Sequence, residues 1–257
     1  MTEHPASSGA RSGASSGPTT RNPVRSYRTG FTTDEDPISE GGMWVNGQRD
    51  GVDWADVVVT DGVAYGATTR MTEAERRVEQ GNLSEPDAAA PEGDYDDPTA
   101  VLAGEWGRNQ YVRGGVFSRH QTEQYFQEVE IRLRSTIAPH VCTGYEVFFR
   151  CLKTAAAYAE IVRWNGPVAD FTSLAKLSGP DYGVQDGDVI EAAIEGNVLR
   201  GFINGVEVIA ATDDTFATGS PGIGFNFGVG DTNVDHGFTF FEVDTYDDLP
   251  AQGGSKG

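Results

Sequence analysis

Residues 128–134 are Glu-Val-Glu-Ile-Arg-Leu-Arg, and in an extended chain successive side chains point to opposite faces. Glu128, Glu130, Arg132 and Arg134 then share one face, with Val129, Ile131 and Leu133 on the other. A second run repeats the pattern: Glu146, Phe148 and Arg150 alternate with Tyr145, Val147 and Phe149, and Glu160 and Arg163 follow nearby. Two chemistries suit such a face. Carboxylates on one strand face are the raw material of an acid/base pair, while Arg and Glu beside an aromatic platform hydrogen-bond and stack on a sugar. Trp106 and Trp164 are the rings available for stacking, and an Arg-rich trough favours an acidic glycan. Against the acid/base reading, the arginines are expected to keep both carboxylates ionised, the wrong state for a general acid near neutral pH. The plain alternative is a ladder of ion pairs on a solvent-facing sheet, each pair contributing up to ~1 kcal/mol.

Other chemistry is absent from the sequence. GASSG (13–17) has the letters of GxSxG but lies in a Ser/Gly/Ala-rich run with no strand before it, so it makes no elbow; the sequence holds no Walker loop, HExxH or CxxC, and no GxGxxG follows a strand-like run. GSPGIGFNFGVG (219–230) is flanked by strand-like runs rather than by a helix N-terminus, so it is a poor phosphate cradle. His120, His140 and His236 are isolated between turn-like segments and are expected at the surface or as caps. Cys142 and Cys151 lie at the two ends of one extended run, too far apart to bridge, and are expected as free thiols. No zinc site or cofactor is indicated. Asp94, Asp96 and Asp97 are hard oxygen donors of the kind calcium takes, though their spacing matches no ion loop and suits a solvated charge run better.

Positioning these residues requires strands. Asn204-Gly205, suited to the positive φ values of a type I′ turn, joins VLRGFI (198–203) to VEVIAA (206–211) as a hairpin, and Gly196-Asn197 joins that hairpin to VIEAAIE (189–195) as a meander. WADVVVTDGVAYG (54–66), YFQEVEIRLRST (125–136), GYEVFFRC (144–151), AYAEIVRW (157–164), GIGFNF (222–227) and FTFFEVDTY (238–246) supply further strands. Roughly a dozen strands spaced this way predict an all-β, two-sheet antiparallel sandwich. A long surface insertion is expected over 66–106, and within it TEAERRVEQ (72–80) is the one helical segment, with Thr72 and Glu75 forming a capping box.

The stretch GDVIEAAIEGNVLRGFINGVEVIAATDDTFATGSPGIGF, preceded by GYEVFFR and RWNGPVADFTSLA, resembles the concanavalin A-like lectin/glucanase superfamily, also called laminin-G-like. The resemblance covers 125–245 well and 31–125 loosely. It implies a jelly roll of two curved sheets whose concave face commonly binds glycans, in a superfamily of lectins, glycanases, lyases and structural modules. Retaining glucanases of this fold resemble one another in Glu-then-Asp-then-Glu on one strand face, with acid and nucleophile about 5 Å apart. Here Glu128 and Glu130 are followed by Arg132, with no third acid. The lyases' Arg-rich strand is matched by 132–134, but their His and Tyr motifs are missing. No catalytic residue is assigned. The expected ligand residues are Glu128, Glu130, Arg132, Arg134, Glu146, Arg150, Trp164 and Trp106. The expected role is a non-catalytic carbohydrate-binding, adhesion or assembly module, with a hydrolase or polysaccharide lyase and a purely structural subunit as alternatives.

Composition narrows the partners. The 257 residues carry 19 Lys+Arg against 39 Asp+Glu, a net charge of −20, which disfavours nucleic acid and anionic membrane. No apolar run reaches the roughly 18 residues of a membrane span. Residues 1–30 hold four Arg against one Glu, a net +3 on a body of −23. This low-hydrophobicity segment is expected to be an extended arm that docks onto protein neighbours, with the jelly roll over 31–248 and a flexible tail over 249–257. No secretory signal is seen. A phage virion component, or a protein reaching the outside by a non-classical route and assembling as a homo-oligomer or larger particle, fits such an arm.

Overall fold

Short runs rich in Val, Ile, Phe and Tyr, broken by Gly, Asn and Asp, fold into strands and almost nothing else. The computed structural model describes residues 22–47, 54–67, 97–138, 141–167, 170–227 and 233–247. Fifteen strands and two single-turn 3₁₀ helices lie in these segments. The expected helix at 72–80, most of the basic arm, the tail, His140, Asp94 and Asp96 lie outside them.

Two antiparallel sheets result. In the first, β13 (Val206–Thr212), β12 (Val198–Ile203), β11 (Val189–Glu195), β6 (Asn109–Ser118), β15 (His236–Tyr246), β4 (Val63–Gly66) and β3 (Val57–Thr60) lie side by side, with β1 (Arg25–Thr29) also paired to β15. The second runs β10 (Phe171–Ser178), β9 (Tyr158–Gly166), β8 (Val141–Arg150), β7 (Gln127–Ala138), β14 (Ser220–Phe227), β5 (Thr99–Leu102) and β2 (Trp44–Asn46). The β12–β13 hairpin turns on Asn204 and Gly205 at φ 51° and 78°, as the sequence requires of a type I′ turn. Together the sheets are the predicted all-β sandwich.

The core fills the space between them. From the seven-stranded sheet come Val129, Ile131, Leu133, Tyr145, Val147, Phe149 and Ile161, which meet Val112, Ile190, Ile194, Leu199, Phe238 and Phe241 of the other sheet. Alternation on β7 and β8 thus directs one face inward, as their sequences predict, and leaves the charged face on the outer side of the seven-stranded sheet.

Two sequence boundaries shift. The arm expected over 1–30 ends in a strand of the body: β1 pairs with β15 from Arg25↔Thr245 to Thr29↔Phe241. Arg25 lies 3.8 Å over the Trp106 ring, and Arg28 pairs with Asp244 at 2.6 Å. Arg28 serves the fold because β15 presents Glu242 and Asp244 to it, and Arg25 does so by donating to Glu105 O. The insertion expected over 66–106 likewise contains β5, a strand in the second sheet that pairs with β14 and β2. Its sequence, TAVL, is too short to show a period, and its acidic, Pro-rich flank hides it.

Candidate functional site

The outer face of the seven-stranded sheet is a grid in register. Glu128 lies opposite Arg150, Glu130 opposite Phe148 and Arg132 opposite Glu146 across β7 and β8. Phe148 in turn faces Glu160 on β9, which faces Lys176 on β10. On the other flank of β7, β14 places Asn226, Gly224 and Gly222 opposite Glu128, Glu130 and Arg132. Gly224 is required there, since a Cβ would stand 2.3 Å from Glu130 Oε2. Glu130 and Arg132 of β7 thus lie over Gly224, whereas a Cβ at Gly222 would meet Ala100 and Val101 of β5.

The face is not a solvated ladder. Glu128, Glu130 and Glu146 are 3%, 2% and 2% exposed, and Arg132 is completely buried. The Arg132 guanidinium lies 3.2 Å from Glu146, 3.6 Å from Glu130 and 3.5 Å from Asp97. It sits 5.3 Å from the Trp164 ring and 5.6 Å from that of Trp54, two indoles that meet edge to face at 4.9 Å. Trp164 donates from Nε1 to Glu146. Trp54 arrives from the segment before β3, and Trp54, Cys142, Val162 and Trp164 make a second hydrophobic cluster on this outer side. Burial costs charged groups several kcal/mol each, so they persist only when paired. One guanidinium serves three carboxylates here.

The electrostatic consequence reverses a sequence expectation. Arginines were expected to hold Glu128 and Glu130 ionised; burial dominates instead. It pushes Glu128 up to about 7, with Glu146 adding to the rise and hydrogen bonds from Tyr158 and Asn226 opposing it. Glu130 is raised well above the usual range by burial, by Glu146 and Asp97, and by a hydrogen bond with Glu146; Arg132 offsets this only in part. Desolvation works against charge on Arg132, but the surrounding acids outweigh it and hold the guanidinium protonated. Cys142, with its sulfur 3.6 Å from Arg132, is pushed up to about 11 by burial, and Cys151 to about 12. Both are free, buried, unreactive thiols.

Of the eight residues singled out in the sequence, six share this face: Glu128, Glu130, Arg132, Glu146, Arg150 and Trp164. Arg134 does not. A register shift between Leu133 and Thr136 and a left-handed φ of 47° at Arg134 break the alternation. Its side chain instead donates to the carbonyls of Arg108, Phe216 and Gly196, tying the loop ends of the sandwich together. Trp106 is also elsewhere, on the β5–β6 connection, packed into the main core and donating to Ala103 O. Neither Trp106 nor Trp164, at 8% and 5% exposure, presents a ring to solvent. His236, expected at the surface, is fully buried and is kept neutral by desolvation, its pKa pushed down to about 4. Among the described residues no group of three or more His, Cys, Asp or Glu is arranged to hold a metal, and Asp97 is engaged with Arg132.

Tyr158, Lys176, Asn226 and Trp54 were missed. Tyr158 carried a signal, since in AYAEIVRW it shares the parity of Glu160 and Trp164; its hydroxyl donates to Glu128. Lys176 Nζ stands 2.6 Å from Glu160 and 4.0 Å over the Tyr158 ring. Trp54 carried none, because nothing local marks a residue that packs on a strand more than a hundred positions later.

The sequence matches no family model and no curated protein sequence. Solved structures do match. The exoplasmic/lumenal domain of VIP36, solved with Ca²⁺ and Man3GlcNAc bound, superposes with a TM-score of 0.53 at 10% identity over 84% of this chain and 90% of that one. A structure described under endo-acting O-glycanases with which prominent members of the human gut microbiota initiate mucin breakdown gives 0.50 at 10% identity, over 88% of this chain and 100% of its own. A carbohydrate-binding module, CBM66 of Bacillus subtilis, gives 0.48 at 12% identity over 75% of this chain and 96% of the module. The fold is the concanavalin A-like jelly roll.

Proposed function

We propose that this chain is a glycan-binding jelly roll that engages sugar through the outer face of the seven-stranded sheet. The observation that carries the reading is the grid itself. Carboxylates, cations and aromatic rings stand in register on four adjacent strands, where a face built only for packing would be apolar and one built only for solubility would be hydrated. Structural neighbours described as Man3GlcNAc-bound and as endo-acting O-glycanases support a carbohydrate ligand. Attachment to a protein neighbour or larger particle, such as a virion, through the basic N-terminal residues belongs to the same proposal. A glycan array with a reducing-end assay on the glycans that bind tests it: binding without turnover is the expected result, and the absence of any binding overturns it.

One observation favours a second reading, a glycan-active enzyme. Glu128, raised to about 7, is partly protonated at neutral pH, as a general acid there requires. Turnover in the reducing-end assay that disappears in Glu128→Gln, with binding retained, establishes that reading in place of the first.

A further inference from the structure

The buried row on β7 is not the surface a ligand meets first. Exposure on the grid rises toward β10. Glu128, Glu130, Arg132 and Glu146 are at most 3% exposed, whereas Phe148, Arg150 and Tyr158 are partly exposed and Ser173, Lys176 and Ser178 are open to solvent. The charges sort by depth as well. Lys176 is 48% exposed while its partner Glu160 is 9% exposed. Arg150 lies 5.0 Å over the Phe126 ring and donates Nη1 to Ala156 O at 3.3 Å, and its Nε has no hydrogen-bond partner among the described residues. Cations are therefore the charged groups at the open end of this face, and the acids lie beneath them.

Resting on the proposed glycan-binding role, we infer that the contact surface is the β8–β10 end of the face and that its ligand is an acidic, carboxylate-bearing glycan. Lys176 and Arg150 supply the donors, Tyr158 and Phe148, 6.2 Å apart and edge to face, offer rings to the C–H face of a sugar, and Ser173 and Ser178 meet its hydroxyls. A uronate carboxylate near Lys176 competes with Glu160 for the ammonium, and among the described residues β8, β9 and β10 present no other exposed acid on this face to repel it. The chain's overall charge of −20 acts from farther away and is screened beyond about 8 Å in physiological salt. A local attraction of this kind weakens as salt is added.

The test compares oligogalacturonides with their methyl esters, which keep the backbone and lose the charge, by calorimetry on the full chain and on Lys176→Gln. The parent is expected to prefer the acid form, and Lys176→Gln to lose about tenfold in affinity for it while leaving the ester unchanged. A thermal melt of Lys176→Gln within a degree or two of the parent shows that the loss is local, and Arg150→Gln repeats the comparison at the second cation. Equal affinity for acid and ester, or an unaltered Lys176→Gln, overturns the inference and leaves the glycan-binding role standing. Failure to bind either form or any glycan on an array overturns both.

Discussion

Arg132→Met is the perturbation that probes the buried grid most directly. The parent guanidinium is completely buried within 3.2–3.6 Å of three carboxylates and beside the edge-to-face pair Trp54 and Trp164. Methionine fills much of the volume but leaves Glu130, Glu146 and Asp97 without their cation. Removing one member of a buried ion cluster costs about 3–5 kcal/mol, most of it the penalty of the charges left behind. An exposed pair costs under about 1 kcal/mol, the value a solvent-facing ladder predicts. The loss also depends on pH. As pH falls Glu130, already raised by burial and by Glu146 and Asp97, takes up a proton more readily than an ordinary carboxylate, so less uncompensated charge remains and the variant recovers part of its deficit. Urea titrations at pH 5 and pH 8 measure this, with the double variant Arg132→Met/Glu146→Gln expected to regain part of the stability lost at pH 8. A loss under about 1 kcal/mol at pH 8, or a larger loss at pH 5 than at pH 8, refutes the buried-cluster account.

Glu128→Gln tests the pH linkage: with the folded pKa at about 7 against an ordinary 4.5 for the unfolded chain, the native state binds the proton more tightly and parent stability falls as pH rises between those values. The variant should match the parent near pH 4 and gain up to about 3 kcal/mol on it at pH 8, and equal urea midpoints at pH 8 exclude this. Ile131→Ala, on the inner face, should cost about 2–5 kcal/mol with glycan affinity unchanged in the folded variant. Arg134→Lys keeps the charge but cannot span three carbonyls, and should lower stability by about 2–4 kcal/mol without touching any ligand. If the N-terminal basic residues dock onto neighbours, a chain beginning at Asn22 should show a smaller mass by light scattering at low salt than the full chain; one beginning at Phe31 should also unfold earlier, because it lacks β1.

Alternation was legible wherever both its faces were long enough to count. The inner rows of β7 and β8 and the Asn204-Gly205 hairpin follow from local rules, and the polar row was correctly grouped up to Arg132. It failed at Arg134 because a bulge inserts a residue and inverts parity beyond it, and LRST gives no warning: a left-handed arginine is tolerated here by three carbonyl acceptors that come from distant loops. Burial was illegible for a related reason. A period-two charged strand looks the same whether water or Trp54 lies above it, and Trp54 is brought to Trp164 only by the closed fold.

The same step explains why the carboxylates behave opposite to the sequence expectation. Counting neighbours along one strand gives two arginines for two glutamates, a balanced and ionised set. The fold removes Arg134 to the loop ends, adds Glu146 and Asp97, and excludes water, so a single guanidinium faces an excess of acid at low dielectric. The excess of acid and the loss of water raise the pKa of both Glu130 and Glu128, so proton uptake by either one relieves the imbalance. What remains at the solvent boundary is the opposite sign, Lys176 and Arg150 above aromatic rings. A face that is acidic in composition is thereby cationic at its open edge, and the sign it presents to solvent follows from the depth of each charge and not from the sum.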